Sequence, residues 1–237
     1  MIFTWKVALV AGGTGGLGRA VSLAFLKEGA QLIVTYQRDQ EFVELKREAG
    51  ADSSRLIGRQ IDVTDESAVE RLIAGIRAEN GTLDILVNTV GGYTGGVKLW
   101  EMDTRAFDQM LALNLRSGYV LSRAAAKLMV TQGKGVIVNV ASKAALDHQA
   151  GVAAYAASKA AALALMDSLA ADLQGSGVRV NSILPSIIDT DANRRAMPGA
   201  DFTKWPKPEE IARVILFLCS EDAQVIHGAA IPVYGAR

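Results

Sequence analysis

An apolar run at residues 5–10 ends in Ala11-Gly12-Gly13-Thr14-Gly15-Gly16-Leu17-Gly18, and a segment with helical spacing, 17–28, follows at once. A strand that turns through glycines straight into a helix gathers free backbone N–H groups at the positive end of the helix dipole. Without Cβ atoms in the way, a pyrophosphate can approach them. The junction therefore predicts a βα unit that holds the phosphates of a dinucleotide. A merely flexible turn is the alternative, and the strand and helix flanking the glycines weigh against it.

The rest of the chain repeats the alternation. Runs rich in Val, Ile and Leu recur at 31–35, 56–61, 83–88, 135–140, 178–184 and 230–234, and segments of helical spacing lie at 40–49, 66–80, 104–131, 152–174 and 208–219. Strands apolar on both faces and joined by helical crossovers predict an α/β fold, a doubly wound parallel sheet of the Rossmann type with about seven strands and helices on both faces. Right-handed crossovers put the ligand outside the carboxyl ends of the strands. No repeat or Pro/Ser-rich linker divides the 237 residues, so 1–237 reads as a single domain, and the long stretch without clear periodicity, 185–207, is the candidate lid.

Charge narrows the partners. The 25 Lys and Arg residues balance 25 Asp and Glu, which argues against nucleic acid and anionic membranes and for a small-molecule substrate. Lys159, Asp167 and Asp172 interrupt the most apolar helical stretch, so no membrane span is expected. The opening MIFTWKVALVAGG lacks the features of a secretory leader, and the cytoplasm is the expected compartment. The single cysteine, Cys219, reads as a buried core thiol, and two histidines, His148 and His227, make a metal role an unattractive reading.

Tyr155-Ala156-Ala157-Ser158-Lys159 places a phenol and an ammonium four residues apart, on one face of the helix near 152–174. The cation is expected to stabilise the phenolate and to lower the tyrosine pKa from its usual ~10. Ser142, thirteen residues earlier at the end of run 135–140, can orient a substrate carbonyl. Ser142, Tyr155 and Lys159 at this spacing, behind the glycine loop, strongly resemble the short-chain dehydrogenase/reductase family, in particular members of the 3-oxoacyl-acyl-carrier-protein reductase kind. The resemblance runs over nearly the whole chain. The spacing of Gly12, Gly16 and Gly18 matches its T-G-x-x-x-G-x-G pattern, with Ala11 in place of the threonine.

That resemblance implies a nicotinamide coenzyme. It assigns Gly12, Thr14, Gly16, Leu17 and Gly18 to the phosphates, and Asp62 and Val63 to the adenine. Asn88 and Gly91 follow the fourth strand, Tyr155 and Lys159 serve the ribose, and Pro185, Ile188 and Thr190 serve the nicotinamide. Locally, Asp62 or Asp65 could equally cap helix 66–80. Asn114 completes the implied catalytic set as a supporting residue, and a buried amide making local bonds is its other reading. Thr89 and Val90 depart from the family's N-N-A-G, and Ser186 from its P-G-x-x-x-T. At the end of the second strand, Tyr36 stands where an acid would hold a ribose 2′-hydroxyl. Arg38 can meet a 2′-phosphate, and no repelling carboxylate is read there, so NADP is favoured over NAD. An ordinary solvated side chain is the other reading of Arg38.

The predicted chemistry is hydride transfer between the nicotinamide and a small carbonyl or alcohol, of ketone or 3-oxoacyl type. Tyr155 is the general acid/base and Ser142 orients the substrate. The lid run Asp189 to Trp205 resembles quinonoid dihydropteridine reductases, which makes that reaction the alternative. A dinucleotide-sensing regulator without turnover is the alternative of another class, and such a protein need not keep Ser142, Tyr155, Lys159 and Asn114 together. Met197, Phe202 and Trp205, with Tyr93 and Trp100, form either an apolar substrate wall or lid packing, and His148 is placed to touch substrate. Small residues along 152–174 and the final stretch 226–235, taken with the resemblance, imply a homo-oligomer, a dimer or a homotetramer.

Overall fold

A computed structural model describes residues 1–235. Strands β1 (Val7–Ala11), β2 (Gln31–Tyr36), β3 (Leu56–Gln60), β4 (Ile85–Asn88), β5 (Gly135–Val140), β6 (Val178–Pro185) and β7 (Ala230–Val233) form one sheet. Its order is β3-β2-β1-β4-β5-β6-β7, and every neighbouring pair is parallel. The expected doubly wound architecture is present, and each predicted strand is found within two residues of its expected ends. The order reverses between β1 and β4, so their carboxyl ends open the crevice where such sheets bind ligands.

The alternation of a strand's side chains sorts the core into two layers. Leu9, Leu86 and Ile137 point to one face, against α3 (Glu66–Asn80), α5 (Ser117–Gln132) and α6 (Ala153–Asp172), which contribute Ile73, Leu121 and Met166. Ala8, Val10, Val87 and Val138 point to the other. There α1 (Gly16–Lys27) and α8 (Pro208–Cys219) bring Val21, Phe25, Ile211 and Ile215. Cys219 is buried in this second layer, and burial pushes its thiol pKa up. His227 takes a structural place: its Nδ1 accepts from the Val180 N–H at 3.2 Å, and its Nε2 lies 2.8 Å from the Ala170 carbonyl.

Two expectations need correction. The helix read as continuous over 104–131 is α4 (Thr104–Leu111), a π-helical turn at Ala112–Arg116, and then α5. The wider turn keeps the helical apolar spacing, which is why the pattern looked unbroken, yet it carries Asn114 into the interior. The stretch 185–207 is not structureless. Pro185 ends β6, α7 (Asp191–Ala196) is capped by the Thr190 side chain, and a 3-10 turn spans Phe202–Lys204. Between β2 and β3 lies α2 (Asp39–Ala49).

At the end of the sheet remote from the crevice, Asp84 is a buried carboxylate that joins three strands. Its Oδ2 accepts from the Val7 N–H at 2.9 Å, its own N–H donates to the Val7 carbonyl, and its carbonyl accepts from Val136. Lys134 pairs with it from the exposed side at 3.3 Å. Asp84→Ala leaves the Val7 N–H buried without its acceptor, so a loss of about 2 kcal/mol is expected in denaturant unfolding. Lys134→Ala removes the exposed partner and should cost under about 1 kcal/mol by the same measurement.

Candidate active site

The junction of β1 and α1 shapes the phosphate end of the crevice. Gly12 turns the chain at φ +72°, its N–H donates to Thr35 Oγ1 at 3.0 Å, and Ser22 Oγ donates to the Gly13 carbonyl at 3.0 Å. A Cβ on Gly18 would run into the Gly12 carbonyl oxygen, so only glycine lets α1 start this close to the turn. Gly15 at the N-cap supplies no side-chain acceptor, and no acid occupies the first turn of α1. Thr14 and Leu17 beside it are buried. The cradle fits a pyrophosphate.

The two departures from the family pattern at positions 11 and 89 compensate each other. Ala11 has no hydroxyl, but Thr89 Oγ1, on the neighbouring strand's exit, lies 2.7 Å from the Ala11 carbonyl and 3.2 Å from that of Gly12. Asn88 is buried, donating to Asn139 Oδ1 at 3.0 Å and accepting from the Val90 N–H at 3.1 Å, so it shapes the turn that leads to Gly91.

On the adenosine side, Asp65 caps α3 through the Ala68 N–H, which leaves Asp62 exposed beyond β3 with one oxygen bonded to the Thr64 N–H and hydroxyl, both at 2.8 Å. Val63 is buried behind it in the core. Tyr36 stacks on Phe42 with ring centres 4.9 Å apart, and burial, with a hydrogen bond to Asp39, raises its pKa. The corner expected to lack a carboxylate holds one. Glu41, from the first turn of α2, accepts from the Thr14 hydroxyl at 3.1 Å and pairs with Arg38. The fold brings this acid to the glycine loop from 27 residues away.

The catalytic candidates meet at the carboxyl ends of β4, β5 and β6. Ser142 leaves β5 and caps a 3-10 turn, its Oγ accepting from the Ala144 N–H at 3.2 Å. Tyr155 stands in the first turn of α6 and Lys159 one turn on. Burial raises the Tyr155 pKa, a hydrogen bond with Ser142 lowers it in part, and Tyr93, edge-on at 5.0 Å, raises it. The expected lowering by Lys159 is thus not what dominates. The lysine is only 5% exposed and its ammonium donates to the Val140 carbonyl at 3.0 Å, while burial brings its own pKa down to about 8.

Asn114 does more than make local bonds. From the π-helical turn its Oδ1 accepts from the Gly92 N–H at 2.9 Å, and its Nδ2 donates to the Gly92 carbonyl at 3.1 Å and to Ser158 Oγ at 3.0 Å. Ser158 in turn donates to the Tyr155 carbonyl at 2.8 Å. A polar line therefore runs from the loop after β4 to the turn that carries the phenol. Ser158 was not singled out in the sequence, although its place inside Tyr155-Ala156-Ala157-Ser158-Lys159 puts it next to the lysine. Gly91 lies where a Cβ would be 3.0 Å from Lys159 Nζ and 2.8 Å from Asn114 Oδ1.

At the nicotinamide side, Pro185 ends β6 and Ser186 ties the following turn to the chain after β7, its Oγ donating to the Tyr234 carbonyl at 2.9 Å. The Ile188 carbonyl accepts from the Thr190 N–H and from Asn193 Nδ2, both at 2.8 Å. The Thr190 methyl would be 2.9 Å from a Cβ on Gly16, which sets the lid against the glycine loop. Of the residues that could form either an apolar wall or lid packing, four are placed by ring contacts and exposure. Phe202 and Trp205 pack on each other at 5.0 Å with Arg194 over Phe202, Tyr93 faces Tyr155, and Trp100 is 79% exposed under Lys98. His148 lies 3.3 Å from the Ala145 carbonyl on the exposed loop after Ser142. Among the described residues no cluster of His, Cys, Asp and Glu could hold a metal, and no helix is long and apolar enough to cross a membrane.

Comparison with known proteins agrees with this geometry. Residues 6–200 match the family model described as short chain dehydrogenase. D-threitol dehydrogenase of Mycolicibacterium smegmatis is 34% identical over 97% of this chain and 92% of that protein. The 3-oxoacyl-[acyl-carrier-protein] reductase of Thermotoga maritima is 30% identical, over 97% of this chain and 96% of its own. Among solved structures, ElxO with NADP bound superposes with a TM-score of 0.91 at 27% identity, covering 97% of each chain.

The depressed Lys159 pKa carries a pH signature. Between about 8 and 10.5 the unfolded chain binds a proton on this residue that the folded protein does not, so stability should rise with pH across that window. Below pH 8 the full cost of burying the ammonium is present. Lys159→Met removes the titration, and the wild type is expected to gain on the order of 3 kcal/mol relative to this variant between pH 7 and pH ~10. Urea unfolding of both proteins at each pH reads the difference, and parallel stability curves would contradict it.

Proposed function

This chain belongs to the short-chain dehydrogenase family, and from that premise we propose that it is an NAD(P)H-dependent oxidoreductase with Tyr155 as its proton donor and acceptor. Hydride moves between the nicotinamide and the carbon of a small ketone or 3-oxoacyl group. The observation that carries the reading is the convergence of Ser142 at the end of β5 with Tyr155 and the buried Lys159 one turn apart on α6, at the carboxyl ends of the strands where the strand order reverses. The similarity to D-threitol dehydrogenase and to 3-oxoacyl-[acyl-carrier-protein] reductase supports a CH–OH/C=O substrate. Neither quinonoid dihydropteridine reduction nor coenzyme sensing without turnover is favoured beside them.

When bound, the coenzyme supplies or accepts the hydride. The protein's residues handle the proton and the developing charge. Ser142 donates to the substrate oxygen and fixes the carbonyl against the phenol. Tyr155, whose pKa burial raises, keeps its proton at neutral pH and can deliver it as negative charge builds on that oxygen. The Lys159 ammonium, charged below about pH 8, favours the phenolate left behind once it turns from Val140 towards it. Asn114 acts through Ser158 and Gly92 as a positioning residue. Gly12, Thr14, Gly16, Leu17 and Gly18 serve the phosphates, Asp62 and Val63 the adenine, Asn88 and Gly91 the loop over the ribose, and Pro185, Ile188 and Thr190 the nicotinamide.

NADP is the proposed preferred coenzyme. Tyr36 replaces the acid that would hold a 2′-hydroxyl, Arg38 stands next to it, and the similar ElxO was solved with NADP bound. A dimer or tetramer is the proposed assembly, supported by the exposed small residues Ala157 and Ala164 on α6 and by family membership. The cytoplasm is the proposed compartment.

Tyr155→Phe should lower kcat at least ~100-fold with a ketone or 3-oxoacyl substrate, the scale of general acid catalysis. Reduced-coenzyme fluorescence should show binding within about threefold of wild type, because the phenyl ring still fills the site. Unchanged turnover in that variant would sink the assignment.

A further inference from the structure

The corner that distinguishes the two nicotinamide coenzymes is built by a residue that the end of β2 does not reveal. Thr14 is buried at the tip of the glycine turn, and its hydroxyl donates to Glu41 Oε2 at 3.1 Å. The other oxygen, Oε1, pairs with Arg38. Glu41 is thus fastened between the phosphate loop and the arginine, with its side chain 25% exposed against 77% for that of Arg38. Two further carboxylates continue the same stripe of α2: Glu44 and Glu48 pair with Arg19 of α1 at 3.2 and 2.9 Å. Arg19 is engaged one turn away, so the cation that Glu41 holds is Arg38.

We propose that Glu41 is the residue that sets coenzyme preference, by competing with a ribose 2′-phosphate for Arg38. To meet such a phosphate, the guanidinium must leave Glu41 or be shared with it. Either way a phosphate with nearly two negative charges comes beside a carboxylate which Thr14 holds in place and whose one cation it takes or divides. Like charges at a partly buried site disfavour each other far more than in open water. A 2′-hydroxyl brings no charge, leaves the Arg38–Glu41 pair intact, and can donate to the carboxylate. Glu41 does from the next helix what an acid at position 36 would do from the strand. The preference for NADP given by Arg38 is accordingly held down, and NADH remains a competent partner.

The inference rests on the reading that this loop binds a nicotinamide dinucleotide, and the test separates the two. Fluorescence titrations with NADPH and with NADH, without substrate, are run on wild type, Glu41→Gln and Arg38→Ala. Glutamine keeps the length and the acceptor for Thr14 but loses the charge. Glu41→Gln is expected to tighten NADPH about tenfold and to leave NADH within about threefold, while Arg38→Ala weakens NADPH selectively. Adenosine 2′,5′-bisphosphate and 5′-AMP, as competitors, should show the same divergence and locate it at the 2′ group. Glu41→Asp keeps the charge and should leave NADPH no tighter. If both coenzymes bind wild type and Glu41→Gln leaves their ratio unchanged, or shifts it towards NADH, Glu41 is only a structural tie and the proposal falls. If wild type binds neither coenzyme, the dinucleotide reading falls and takes this one with it.

Discussion

The carbonyl oxygens of Ala11 and Gly12 face the chain leaving β4, and the Thr89 hydroxyl reaches both, at 2.7 and 3.2 Å. It has one proton to give, so the bond is shared between two acceptors. It closes the seam between β1 and β4, the place where the strand order reverses and the crevice opens. The geometry of α1 depends on that seam. Gly18 lies against the Gly12 carbonyl with no room for a side chain, and the helix that begins there packs on α8 and caps one layer of the core. A shift in the Gly12 carbonyl would move the helix N-terminus that is to meet a pyrophosphate. With alanine at 11, the hydroxyl that spans the seam comes from Thr89 on the other strand's exit.

The catalytic end is held by a different device. Asn114 is buried in a π-helical turn, where the extra residue in the turn projects its amide towards Gly92 and Ser158. Each polar atom of that amide has a partner, as a buried amide requires. The loop after β4 and the first turn of α6 are thereby fixed to each other through side chains whose backbones are far apart in sequence. Tyr155 inherits its position from this line, since the Ser158 hydroxyl bonds the tyrosine's own carbonyl.

Much of this was legible from the residues because the signals are local. Strand alternation, the glycine junction and the four-residue step from Tyr155 to Lys159 need no tertiary information, and each was found where expected. The π-helical turn was not, because one widened turn preserves the i, i+3, i+4 apolar spacing on either side of it. Glu41 was missed for a different reason. In sequence it is an ordinary acid in a helix's first turn, where the macrodipole favours one, and nothing nearby says that the turn faces Thr14. The expectation for the tyrosine failed on direction. Helical spacing puts the ammonium on the same face as the phenol, but it cannot tell that a strand's carbonyl, that of Val140, will take the ammonium instead.

Burial acts in opposite directions on the two groups: it raises the Tyr155 pKa above 10 and lowers that of Lys159 to about 8, since each resists its charged form away from water. Near neutral pH both nevertheless carry their protons. The resting pair is a neutral phenol backed by a cation that is bonded elsewhere, a stock of acid with little tendency to ionise unprompted. Ser142 opposes the burial through its hydrogen bond to the phenol. Charge developing on a substrate oxygen at that same serine would therefore be felt directly by the proton it is to receive. The lysine lies one helical turn from the phenol, and Gly91 leaves space beside its Nζ where any side chain would crowd it. Delivery of the proton is thus favoured when negative charge appears in the crevice, and the raised tyrosine pKa is what keeps it in place until then.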